Sequence, residues 1–279
     1  MITLIGSGNV ATWMAQRLQG SSRFPVTQVY SRKMENARRL AALSDAEAID
    51  DIKALNPDNQ MFIFALADNA YEEILPQLPF RLPMAFVTSG TVSCQCLKDY
   101  AERYGVIYPL QTFTKSQDMR ALEVPLCLES DFVRDDKEQQ QECCCSTSSQ
   151  ECGGPYDLMW GLARELSPIC HEVSEAQRAR MHVAAVFACN FSNAMYQIAY
   201  KLMEENGLPF DILIPLLRQT VEKVSQMSPA EAQTGPAGRG DWNVMRAHLA
   251  DLGDKRLQEL YRMMSEIIME EKGLEPREQ

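Results

Sequence analysis

The sequence lacks any run of eighteen apolar residues, so no membrane-spanning helix is expected. It is poor in positive charge. Lys and Arg number 27 against 38 Asp and Glu, a net charge of -11. That balance argues against nucleic acid as a partner, because phosphates need a basic face. It excludes little among small substrates, since a local basic pocket can sit inside an acidic chain. No internal repeat is evident. The first residues enter a strand directly, so no signal peptide is expected and the location expected is cytoplasmic. Cysteine is not scarce, with nine residues. Without an export signal these read as thiols rather than a disulfide framework.

Cys143, Cys144, Cys145 and Cys152 fall in 135–154, a stretch rich in Asp, Glu, Gln and Ser. A metal or redox site is one reading. Structural zinc sites come as spaced pairs, however, and a Cys-Cys-Cys run points three thiolates poorly at one ion. A mobile insertion with no metal is the expectation. The other five cysteines lie in apolar segments and read as small core residues.

The informative stretch is Met1 to Ala11, MITLIGSGNVA. Ile2 to Ile5 reads as a buried parallel strand. Gly6-Ser7-Gly8-Asn9-Val10-Ala11 follows and fits G-x-G-x-x-G/A, and Val10, Met14 and Leu18 then share one helix face. Strand, glycine turn and helix together form a dinucleotide site. Gly6 permits the turn and Gly8 lets a pyrophosphate approach the backbone. The helix end supplies N–H groups and a partial positive charge. The bland alternative is a glycine turn that binds nothing.

A second strand, Val26 to Tyr30, ends in Ser31-Arg32-Lys33. NAD would ask for an acidic residue at this tip. A hydroxyl and two cations suit the 2′-phosphate of NADP instead. The competing reading is a solvated helix start. Further strands are expected at Ala46 to Ile49, Met61 to Ala65, Met84 to Val87, Val106 to Tyr108, Val124 to Leu128 and Ile169 to Val173. Helices are expected through Ala37 to Ala41, up to Ile74 with Asp68 as its N-cap, over Leu97 to Tyr104, and over Tyr156 to Leu166. Loops at Leu66-Ala67-Asp68-Asn69, Thr88-Ser89-Gly90-Thr91 and Gln111-Thr112 then form the mouth of the site, outside the carboxyl ends of the strands.

From Ser174 the chain reads as wholly helical. Ser174 and Gln177 make a capping box, and the helix runs to about Glu205. A helix over Phe210 to Gln226 is expected to kink at Pro215. Thr234 to Asp241 is too glycine-rich for helix, and helices at Trp242 to Ala250 and Lys255 to Glu271 follow. The expected architecture is α/β: a parallel-sheet nucleotide domain, 1–173, and an all-α domain, 174–279. An uncovered stripe on the long helix predicts a homodimer built on the helical domain.

GSGNVA, VYSR, IFALAD and TSG resemble the NADP-binding Rossmann domain of a group of reductases. The group includes pyrroline-5-carboxylate reductase, ketopantoate reductase and the coenzyme F420-dependent NADP oxidoreductases. Three further marks are Tyr108 to Phe113, the segment His182 to Asn190-Phe191, and Thr234 to Asp241. With them the whole chain resembles bacterial Rossmann-like proteins with a DUF2520 domain. The chain departs from that pattern at Tyr108, where His is expected, and in the cysteine insertion. The resemblance implies a dimeric NADP-binding oxidoreductase that acts on a small carbonyl, imine or hydroxyacid. The alternative is a non-catalytic NADP-binding sensor.

The cofactor residues expected are Gly6, Ser7, Gly8, Asn9, Val10, Ser31, Arg32, Leu66, Ala67, Asp68 and Ser89. On the long helix, His182, Asn190 and Asn193 stand among Ala, Val and Phe. At about 100° per residue, His182 and Asn193 lie about 20° apart, with Asn190 about 80° from His182 and about 12 Å along. In related hydroxyacid dehydrogenases a Lys on such a helix gives a proton and an Asn orients the substrate. His182 stands where that Lys is sought, and imidazole serves as an acid near neutral pH. Proton donation is therefore assigned to His182 and substrate orientation to Asn190, in a cleft between domains. Asn193, Gln111 and Arg239 are the further substrate candidates, Arg239 for an anionic group. A buried structural His with packing amides is the bland alternative. Asp241 reads as an N-cap.

Overall fold

The computed structural model describes residues 1–114, 118–132 and 154–275. The cysteine-rich stretch 135–154 lies outside the described residues, apart from Gly154. Six strands run parallel: β1 (Ile2–Ile5), β2 (Val26–Tyr30), β3 (Glu47–Ile49), β4 (Met61–Phe64), β5 (Leu82–Val87) and β6 (Ala101–Pro109). β7 (Leu126–Ser130) runs antiparallel to β6, and β8 (Cys170–Glu172) runs parallel to β7. These eight form one sheet in the order β3-β2-β1-β4-β5-β6-β7-β8. The order reverses direction at β1, between β2 and β4, where an open α/β sheet leaves a crevice at its carboxyl edge.

All four residues of β1 are buried, which is why its sequence does not alternate; the one polar residue, Thr3, accepts from the Asn59 side-chain amide at 2.7 Å. On one face, Leu4 and Ile63 pack with Trp13 and Met14 of α1 (Asn9–Arg17). α2 (Met34–Ala41) adds Leu40 there. On the other face, Ile5, Phe62 and Phe64 pack with Tyr71 and Ile74 of the short α3 (Tyr71–Ile74). α4 (Pro155–Leu166) joins the first face through Met159 and Leu162.

No helix spans Leu97 to Tyr104. A 3-10 turn, Cys94–Leu97, leads almost directly into β6. Leu97, Ala101 and Tyr104 are all buried and carry helical spacing. A tight turn and a strand bury the same three residues, so the spacing misleads.

β7 and β8 run against the other strands, so the chain leaves β8 at the sheet's amino edge. α5 (Glu175–Ala185) starts there, closed by a capping box in which Ser174 N–H donates to Gln177 Oε1 at 2.8 Å. Eight residues later, about 12 Å up the helix axis, comes His182. The helix continues through a π-helical segment, Val186–Phe191, into α6 (Ser192–Glu205). That wide turn holds an extra residue. The positions beyond it are therefore set off by about 100° from the regular ladder, and the 20° separation of His182 and Asn193 does not hold.

The chain forms two compact units, Met1–Asn193 and Ala194–Gln279. The second contains α7 (Ile214–Gln226), α8 (Pro229–Ala232), α9 (Pro236–Arg239), α10 (Trp242–Asp251) and α11 (Lys255–Glu271). Pro215 causes no kink. It sits in the first turn of α7, where its missing N–H costs nothing. Thr234 to Asp241 does contain one helical turn, α9, ended by Gly240 in the left-handed region. Among the described residues no helix is long and apolar enough to cross a membrane.

Candidate functional site

Gly6 has a φ of +118°, and a Cβ there would lie 2.2 Å from the Ala65 carbonyl oxygen. Only glycine lets the turn pass so close to the end of β4. Gly8 is different. A Cβ on it would meet only that same oxygen, at 4.0 Å. The protein itself leaves this space open, as a phosphate-binding turn requires. The first bond of α1 runs from Thr12 N–H to the Gly8 carbonyl at 3.0 Å, so the N–H groups ahead of it point out of the helix end.

Two cavities flank this turn. The first, of about 380 Å³, is lined by Gly6, Ser7, Gly8, Ser31, Arg32, Lys33, Leu66, Ala67 and Glu73 among others. Ser31 is buried, and its hydroxyl meets that of Ser7 at 2.8 Å, tying the glycine turn to the tip of β2. Arg32 is exposed and sits 3.5 Å from the equally exposed Glu73 carboxylate. The second cavity, of about 320 Å³, is lined by Gly8, Asn9, Val10, Leu66, Ala67, Asp68, Thr88, Ser89, Gly90, Thr91 and His182. Asn9 also donates to the Phe113 carbonyl at 2.7 Å. The two cavities share Gly8 and Ala65 to Ala67, so they are the two halves of one trough.

Asp68 is not a helix N-cap. The first helical turn after β4 begins at Asp68 itself, with Ala67 ahead of it. The Asp68 carboxylate accepts from the Ser89 hydroxyl at 2.8 Å and from the Thr91 hydroxyl, bridging two loops of the second cavity. Gln111 braces its own turn: its amide donates to the Glu123 carbonyl at 3.1 Å and accepts from Thr112 N–H at 2.9 Å. Asn190 lies in the π-helical segment and Asn193 just beyond it; both are exposed and line neither cavity. Arg239 ends α9 in the second unit. Asp241 does cap α10, accepting from Val244 N–H at 3.3 Å.

His182 is held by Tyr108 on one side and Gly90 on another. The Tyr108 hydroxyl lies 3.0 Å from its Nδ1. Its ring lies against Gly90, where a Cβ would come within 2.5 Å of Nδ1. One turn earlier, Arg178 is 0% exposed; its Nε donates to Glu129 Oε2 and its Nη1 to the Ser89 carbonyl, both at 3.0 Å. The Cys94 thiol donates to the other Glu129 oxygen at 3.3 Å. Burial, helped by Glu129, pushes that thiol up to about 12, so it stays protonated. Arg178 and Glu129 escape notice in the sequence, Tyr108 stands out there only as a departure from the family pattern, and Gly90 only as part of a loop at the mouth of the site. Arg178 carried a signal, because it precedes His182 by four residues and so shares its helix face.

Cys94 and Cys127 are buried as core thiols, whereas Cys189 is exposed, on the π-helical segment. Among the described residues no three His, Cys, Asp or Glu side chains gather to hold a metal ion.

Residues 144–268 match the family described as Domain of unknown function (DUF2520). A Bacteroides fragilis protein provisionally described as an NADP oxidoreductase is 34% identical, over 96% of this chain and 97% of that one, with a TM-score of 0.79. The chain belongs to the Rossmann-like DUF2520 family. Other likenesses show the fold alone. A Thermotoga maritima protein is 20% identical over 98% of this chain and 100% of that one, with a TM-score of 0.74. A 1-pyrroline-5-carboxylate reductase from Streptococcus pyogenes is 16% identical, covers 98% of each chain and has a TM-score of 0.61. No curated protein matches this DUF2520 family member.

Proposed function

We propose that the protein is an NADP(H)-dependent oxidoreductase acting on a small carbonyl, imine or hydroxyacid. The observation that carries this reading is the trough itself: two cavities joined at Gly8, with His182 on the wall of the second. Likeness to a Bacteroides fragilis protein provisionally described as an NADP oxidoreductase supports it. So does the fold of a reductive aminase from Aspergillus terreus solved with NADPH, at 16% identity and a TM-score of 0.58.

In this reading the turn Gly6 to Val10 holds the pyrophosphate through backbone N–H groups, with Gly8 leaving it room. Ser31 and Arg32 take the 2′-phosphate. Leu66, Ala67, Asp68 and Ser89 border the nicotinamide half. A bound nicotinamide supplies or accepts the hydride. His182 gives the substrate's oxygen or nitrogen its proton, and its place over the second cavity sets the reacting end there. Asn190, on the wide turn of the same helix, is the candidate for orienting the substrate, since such turns recur at functional positions. The second cavity is open rather than plugged by side chains, which favours an enzyme over a sensor.

The test is oxidation of NADPH against a panel of carbonyl and imine compounds, with calorimetry of NADPH and NADH beside it. His182→Ala should leave NADPH affinity intact and lower turnover by roughly 10²–10⁴. Normal turnover in that variant removes His182 from the mechanism. Absence of NADPH binding removes the whole reading.

A further inference from the structure

We infer that Tyr108 is the positioning residue for His182: its hydroxyl occupies Nδ1 and leaves Nε2 as the nitrogen that serves the cavity. The inference deepens the reading of His182 as proton donor and rests on it. Tyr108 stands near the end of β6 and is 9% exposed. Its ring meets the imidazole edge to face, with centroids 6.0 Å apart and planes at 65°. Among the described residues, His182 Nδ1 is the one hydrogen-bond partner of that hydroxyl, at 3.0 Å. Burial raises the Tyr108 pKa, and Cys127 adds to this, so the phenol keeps its hydrogen.

The tautomer follows from this bond. A phenol is a better hydrogen donor than acceptor and a bare imidazole nitrogen is a strong acceptor, so the 3.0 Å bond is stronger with Nδ1 unprotonated than with a hydrogen on it. The neutral ring therefore rests with its hydrogen on Nε2. When the ring is charged, the hydroxyl turns and accepts from Nδ1–H, because a hydroxyl is both donor and acceptor. Tyr108 thus partners Nδ1 in both states. The proton passes to the substrate heteroatom from the charged ring: the Nε2–H bond breaks, its electron pair stays on Nε2, and the neutral ring left behind carries Nδ1–H on the Tyr108 oxygen until exchange with solvent returns it to the Nε2–H form.

A substrate class follows. The group that meets His182 must present a lone pair to Nε2–H, as a carbonyl oxygen or a neutral imine nitrogen does. A protonated iminium presents a hydrogen instead and finds no acceptor there. Gly90 is part of the device. A Cβ on it would lie 2.5 Å from His182 Nδ1 and 3.0 Å from Tyr108 Cζ, so glycine is what lets the two rings meet above the loop.

The chain has three histidines, so the ring nitrogens are separable by ¹⁵N NMR on the full-length protein without cofactor. His182→Gln assigns the signals. His248, whose Nδ1 lies 2.8 Å from the Tyr261 hydroxyl, reports that a variant is folded. With the ring neutral, wild-type His182 should favour the Nε2–H form by roughly tenfold or more. Tyr108→Phe should reduce that excess to a mixture and leave His248 as it was. A dominant Nδ1–H form in the wild type overturns the inference, whether or not the variant folds. An unchanged ratio in folded Tyr108→Phe overturns it as well. Failure of the oxidoreductase reading would appear separately, as absent NADPH binding or turnover, and leaves these spectra untouched.

Discussion

At Gly90 the absence of a side chain is set by a neighbour, since the His182 ring fills the space a Cβ would take. Gly90→Ala must push the imidazole or bend the loop. Overpacking of this kind costs about 1–3 kcal/mol, so thermal unfolding of the variant should show a lower midpoint. Turnover should fall with it while NADPH affinity holds. A variant as stable and active as the wild type would mean that the loop yields freely. Arg32 raises a different question. Its contact with Glu73 is between exposed groups at 3.5 Å, a pair worth little in water. It is therefore free to turn to a phosphate. Arg32→Ala should weaken NADPH by about 1.5–3 kcal/mol and leave NADH unchanged, as read by calorimetry. Equal losses for both cofactors would show that Arg32 does not read the 2′-phosphate.

Among elements, α5 depends on a buried charge. Arg178 is enclosed with Glu129 at 3.0 Å and also holds the Ser89 carbonyl. Removing one partner strands the other, at a cost of about 3–5 kcal/mol, whereas replacing both by apolar groups is milder. Glu129→Met should therefore lower the unfolding midpoint more than Glu129→Met with Arg178→Met together. If the double variant is the less stable, the pair is a net source of stability and the expectation fails. Elements whose pattern and ends agree were legible in the sequence: Val26–Tyr30 and Lys255–Glu271 have the bounds their apolar spacing and flanking residues give. Where two periods serve the same residues, as at Leu97, Ala101 and Tyr104, sequence could not choose between helix and strand. The glycine turn was legible because its residues are contiguous. The His182 surroundings were not, because Tyr108 and Gly90 follow from the pairing of β5 with β6 while Arg178 comes from α5, far along the chain.

For the whole molecule, the second unit has very little interior. Among the described residues of Ala194–Gln279, the buried apolar cluster comprises Ala237, Met245 and Met269. Ile212, Leu216, Val221 and Met263 are each more than half exposed. So few buried side chains do not sustain a unit of this size, and exposed apolar surface of this kind seeks a partner. We propose a second copy of the chain as that partner, since two-fold homodimers are the commonest closed assembly. Light scattering at micromolar concentration should report twice the chain mass; a monomer there refutes the proposal. The two units are joined through continuous helix rather than a loop, and the wide turn Val186–Phe191 lies just before the boundary. That turn is slack in the chain's length. Elsewhere between Glu175 and Glu205, losing one residue disturbs a regular ladder. Within these six, the same loss restores ordinary spacing, so this is where the helix can shorten and become more regular.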